Sequence, residues 1–205
     1  HKPSVTIFGG SRLSAESEYA KHAEELAYVL SKQGFSIVTG GGPGIMEAAN
    51  LGSYKARSEP IKSGTSRLQT DSFGIGLSNL NRESQNKYVQ EYIELKYFFE
   101  RKWLLVRSAI GFAVFPGGFG TMDELFEITT LMQTNRMPKV PIVLFGSSYW
   151  KPIVDWINDS ASKNRMIDPE DVKLIFVTDS VEEAARVICD KAYKRMRNKN
   201  SGLCR

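Results

Sequence analysis

The chain has 205 residues, 41% of them hydrophobic, a formal net charge of +4, two histidines and two cysteines. That length suits a single domain over residues 1–205, with one sizeable core and no linker dividing it. With only His1 and His22, a Ser-His-Asp hydrolase and a His-rich metal site are excluded; Cys189 and Cys204 form no metal or redox spacing, and no apolar run approaches the ~20 residues of a membrane span.

The expected setting is therefore reducing and cytoplasmic, with no membrane partner. Much of the positive excess falls between Lys191 and Arg205, after apolar periodicity has stopped. Residues 194–205 are read as a frayed, solvated helix end rather than a nucleic-acid contact. Residue 1 is His rather than Met, so native residues are expected to precede it.

In chain order, a strand is expected at 4–8, followed directly by Gly9, Gly10 and Ser11. A helix over 14–33 comes next, on which His22 is read as structural, then a strand at 35–39 and a helix over 43–56. Residues 57–92 interrupt this rhythm. They are rich in Ser, Gly, Asn and Thr and hold one convincing strand, 73–77, so the segment is either a lid or binding loop or plain surface disorder. A helix over 94–109, a strand at 110–115, a helix over 121–135, a strand at 140–145, a helix over 149–162, a strand at 173–177 and a helix over 181–197 complete the chain. Such alternation requires right-handed crossovers and a sheet covered on both faces. The expected class is α/β: a Rossmann-like three-layer sandwich with a mostly parallel central sheet.

Two glycine turns carry the chemistry. Residues 115–124 read FPGGFGTMDE, and Gly117, Gly118 and Gly120 leave backbone amides free to converge on an oxyanion at a helix N-terminus. Thr121 and Glu124 also fit a capping box, as do Ser180 and Glu183 further on, so an ordinary strand-to-helix turn stands beside the anion site. Residues 39–50 read TGGGPGIMEAAN, again between a strand and a helix, which would bring a second set of amides to the carboxyl edge of the sheet. No turn carries the dinucleotide triplet, because Glu47 stands where its third Gly would fall, and none is followed by Gly-Lys-Ser/Thr. A dehydrogenase and a P-loop NTPase are thereby disfavoured.

On the helix over 94–109, Arg101 shares a face with Phe98 and Leu105. It either snorkels and pairs with a carboxylate, or is held for a ligand phosphate or a reacting sugar. Lys102 points about 100° away from it.

Taken together in order, GGGPGIMEAAN, the Glu-Arg-Lys of 100–102 and PGGFGTMDE resemble the LOG (Lonely Guy) family, over about residues 5–156. The resemblance implies a Rossmann-like phosphoribohydrolase, long mislabelled lysine decarboxylase, that cleaves the N-glycosidic bond of cytokinin riboside 5′-monophosphates and of AMP. It implies Arg101 and Glu124 as the catalytic pair. It makes Gly41, Gly42, Gly44, Gly117, Gly118, Gly120 and Thr121 candidates for holding phosphate and ribose, with Met46 and Lys102 at further motif positions. No cofactor and no metal are expected. The partners expected are a nucleoside 5′-monophosphate and a second copy of the chain, since Tyr97, Phe98, Phe99 and Trp103 give one helix more apolar surface than a single face buries. The chain departs from the pattern at Leu105, where many members have Met, and in the length of 57–92. A carrier similar to molybdenum-cofactor carrier proteins, or a regulatory nucleotide sensor, would use the same fold without bond cleavage.

Overall fold

The computed structural model describes residues 3–59, 70–78 and 84–201, with side chains given as far as residue 194. Parts of the 57–92 segment and of the 194–205 tail lie outside the described residues.

The strands are short apolar runs: β1 (Ser4–Phe8), β2 (Ser36–Thr39), β3 (Ser72–Leu77), β4 (Glu91–Leu95), β5 (Ala109–Val114), β6 (Ile142–Phe145) and β7 (Ile175–Thr178). All residues of β1, β2 and β6 are buried, as both-faced burial in a parallel sheet requires. The seven strands pair in parallel throughout, in the order β4-β3-β2-β1-β5-β6-β7.

The helices are α1 (Glu18–Lys32), α2 (Ile45–Ser58), α3 (Phe98–Arg107), α4 (Phe119–Gln133), α5 (Ser147–Trp156), α6 (Pro169–Val172) and α7 (Val181–Ser201). On α1 the apolar residues Ala20, Ala23, Leu26, Ala27 and Leu30 recur at helical spacing and are all buried. They join Val5, Ile7, Ile37, Ala49 and Ile188 in one core beneath α1, α2 and α7. The opposite face of the sheet carries a second core, in which Phe112, Val114 and Ile142 pack against Leu105, Leu125, Ile128 and Trp150 of α3, α4 and α5. This is the expected three-layer sandwich, with a sheet parallel in every pairing.

Several boundaries differ from the sequence reading. α1 begins at Glu18 rather than 14, because the Ser17 hydroxyl accepts the Ala20 amide at 3.2 Å and Ser14–Ser17 forms a separate turn. The helix expected over 149–162 is α5 followed by a π-helical turn, Ile157–Ser162. β4 occupies positions that the sequence assigns to the end of a loop and the first turn of a helix. Its sequence, EYIEL, mixes two glutamates with three apolar residues, none of them fully buried, and among the described residues it pairs only with β3, so it carries the half-exposed signature of an edge strand rather than a buried run.

Candidate functional site

Strand order reverses on either side of β1, and this is where an open parallel sheet leaves a crevice outside its carboxyl ends. A cavity of about 730 Å³ opens there. The loop after β1 supplies Gly9 to Leu13, the loop after β2 supplies Gly40, and the turn after β5 supplies Pro116 to Gly120. Met46 of α2, Phe98, Arg101 and Leu105 of α3, Thr121 and Glu124 of α4, and Tyr149 of α5 complete the wall.

Close backbone approach knits these loops together. The Gly10 amide donates to the Pro116 carbonyl at 2.9 Å and the Ile45 amide to the Gly10 carbonyl at 3.2 Å. The Tyr149 hydroxyl donates to the Gly117 carbonyl. A side chain at Gly117 would collide with Thr121 Oγ1, 2.0 Å from an added Cβ. Gly44 has φ +69° and lies against the Gly10 carbonyl, so it must be glycine on both counts.

α4 starts at Phe119 behind Gly118, which corrects the capping-box reading of Thr121 and Glu124: both lie inside the helix, and no side chain caps it. Among the described residues, the amides of Gly117, Gly118, Phe119, Gly120 and Thr121 have no acceptor. A 15-residue helix therefore presents a run of open donors and its positive dipole end to the cavity. At Ser180 the half-cap is real, for its hydroxyl accepts the Glu183 amide at 3.2 Å.

Glu124, one turn further along α4, is only 5% exposed, and among the described residues its Oε2 has no hydrogen-bond partner. Burial pushes its carboxyl up to about 7, against the opposing charge of Arg101. Glu127 and Asp123 add to the rise and Lys102 works against it. A buried polar atom left without a partner in a cavity wall is a place where a ligand completes the bonding.

Arg101 reaches the cavity from α3 with its Nε donating to the Ile75 carbonyl at 2.9 Å. Its guanidinium lies over Gly40, where an added Cβ would sit 2.4 Å from Nη2 and 2.7 Å from Met46 Sδ. Gly40 is thus the glycine of the GGG run that the cavity needs, whereas Gly41, Gly42 and Gly44 build the wall behind it. Gly41 has φ +75° and packs under the Tyr92 ring, and the Gly42 carbonyl accepts from Asn86 Nδ2 at 2.9 Å.

Of the candidates named from sequence, Arg101, Glu124, Met46, Gly117, Gly118, Gly120 and Thr121 come together on one cavity. Lys102 turns away and pairs with Asp123 at 2.7 Å and Glu127 at 3.2 Å, tying α3 to α4. Arg12, Phe98, Gly40 and Tyr149 also line the cavity without being marked as site residues by the sequence. The glycine turn after β1 was the signal for the first of them, while the loop after β6 that brings Tyr149 carries no motif.

Fold and site together define a Rossmann-like protein with an anion-ready cavity at the strand-order reversal. The family model described as "Possible lysine decarboxylase" matches residues 46–188, and the chain belongs to that family. Over 171 residues it is 26% identical to the pyrimidine/purine nucleotide 5′-monophosphate nucleosidase of Escherichia coli K12, covering 79% of this chain and 36% of that one. The chain thus spans about a third of the length of that relative. Over 177 residues it is 26% identical to the rice cytokinin riboside 5′-monophosphate phosphoribohydrolase LOG, covering 85% of this chain and 67% of that one. Among solved structures, the molybdenum cofactor binding protein of Rippkaea orientalis superimposes with a TM-score of 0.64 at 19% identity, over 93% of this chain and 97% of that one. The molybdenum cofactor carrier protein of Chlamydomonas reinhardtii gives 0.64 at 17% identity, over 93% and 98%. These last two likenesses concern the fold alone.

Proposed function

We propose that the chain hydrolyses the N-glycosidic bond of nucleoside 5′-monophosphates, AMP or cytokinin riboside 5′-monophosphates, to free base and ribose 5-phosphate. The observation that carries this reading is Glu124, buried and unpartnered, facing Arg101 one helical turn from the open amides of α4. The amides hold the 5′-phosphate, so binding energy remote from the reaction places the sugar. As the C–N bond breaks, positive charge develops on the ribose. The Glu124 carboxylate stabilises that charge and orients the water that attacks the anomeric carbon. The base leaves with the bonding electrons and takes a proton, while Arg101 positions the substrate. The names of the E. coli and rice relatives agree with this chemistry. The decarboxylase description does not fit the site, for among the described residues no lysine lines the cavity to form a Schiff base.

We also propose that the working form is a homodimer or an assembly of dimers. Tyr97, Phe98, Phe99 and Trp103 stand 50–70% exposed at the start of α3, spread around more than one of its faces, and a second copy would cover apolar surface that a monomer leaves in water.

Incubation with AMP, followed by chromatography for adenine and ribose 5-phosphate, tests the reaction. Release by the parent chain, lost in folded Glu124→Gln and Arg101→Ala variants, is the expected result. Tight binding of AMP and cytokinin nucleotides without release would replace the reading with that of a carrier.

A further inference from the structure

We propose that Arg12 recognises the substrate phosphate and makes the site select phosphorylated ribosides over unphosphorylated ones. The inference rests on the hydrolase reading for the identity of the substrate, but it concerns a residue outside the three motifs. Arg12 is exposed on the wall of the cavity. Among the described residues, no carboxylate pairs with it. Among the described residues, Glu124 is the only carboxylate lining the cavity, and it faces Arg101.

The loop that carries Arg12 is held in place. Gly10 bonds to Pro116 and Ile45, an added Cβ on Gly10 would lie 3.3 Å from Gly117 Cα, and Ser11 is packed against Gly44. Arg12 is two residues beyond Gly10, so its Cα lies at most about 8 Å from that of Gly10, the residue that meets the turn whose amides are open. A planar guanidinium on a long side chain is suited to bidentate contact with a phosphate there. The amides and helix dipole meet the anion from one side and Arg12 from another. A neutral ribose hydroxyl in the same place would gain little from either.

The experiment compares the parent chain with Arg12→Ala and Arg12→Lys. One arm follows hydrolysis of AMP and of adenosine, and the other follows calorimetric binding of ribose 5-phosphate and of ribose. Loss of a charge-assisted contact predicts that Arg12→Ala raises KM for AMP and Kd for ribose 5-phosphate roughly ten- to a hundredfold. The same variant should change kcat much less and leave ribose binding where it was, with Arg12→Lys falling between. Equal losses for phosphorylated and unphosphorylated ligands, or no loss for either, overturn the proposal. Arg12-dependent binding of ribose 5-phosphate without base release from any nucleotide would uphold Arg12 and sink the hydrolase reading instead.

Discussion

Glu124 links catalysis to stability through one proton. In the folded chain its carboxyl holds the proton to about pH 7, whereas the unfolded chain releases it near 4.5. The folded state binds that proton more tightly, so its stability is greatest below the unfolded value and falls as pH rises towards 7. Glu124→Gln is free of this loss. Its stability relative to the parent chain should therefore rise between pH 5 and pH 8, by about 3 kcal/mol, in urea unfolding followed at both pH values. The same substitution should lower kcat by about 10²- to 10³-fold. For the parent chain, kcat/KM should climb with pH to a plateau above about 7, where the carboxylate is formed. Lys102 enters here although it is outside the cavity. Its ammonium offsets Asp123 and Glu127, and all three charges act on Glu124. Lys102→Met should consequently shift the midpoint of the pH–rate profile upwards, and an unchanged midpoint would show that this triad does not reach the site electrostatically.

Elements are positioned by contacts that leave no room for substitution. α1 and α2 touch at Gly52, where an added Cβ would sit 1.9 Å from the Glu24 carbonyl oxygen. Gly52→Ala should force the two helices apart and cost about 1–3 kcal/mol in denaturant unfolding, while Ala in place of the exposed Gly118 meets nothing within 4 Å. The turn between β2 and α2 is held by a buried polar network. Thr39 Oγ1 donates to Asn50 Oδ1 at 2.8 Å, Asn50 Nδ2 to Ser72 Oγ at 2.7 Å, and Asn86 Nδ2 to the carbonyls of Gly41 and Gly42 at 3.0 and 2.9 Å. Most elements were legible in the sequence because their apolar spacing is strong, as in α1 and the all-apolar β6. β4 was not, because EYIEL runs straight into the aromatic start of α3 and its partner strand β3 comes from the poorly patterned 57–92 segment. Glu124 and Arg101 were legible through the motifs around them. Gly40 hid among three consecutive glycines whose separate duties appear only when Arg101, Tyr92 and Asn86 are placed over them.

At the scale of the whole molecule, the exposed aromatic residues at the start of α3 reach the cavity through Phe98, and Phe119, also on the cavity wall, stands 97% exposed. If this surface joins two copies, Phe99→Glu combined with Trp103→Glu should halve the mass in light scattering; a parent chain that is already monomeric would refute the assembly. The parallel topology has a consequence of its own during synthesis. β1 lies in the middle of the sheet, with β2 on one side and β5 on the other, and Phe8 waits for Val114 as its neighbour. A ribosome adding about 5–20 residues per second needs on the order of ten seconds to cover that interval. For that time β1, buried along its whole length in the folded chain, has one open edge, the kind of surface that chaperones hold and that crowded neighbours join. The crevice that makes a site at the reversal of strand order thus waits for the second half of the chain before it closes.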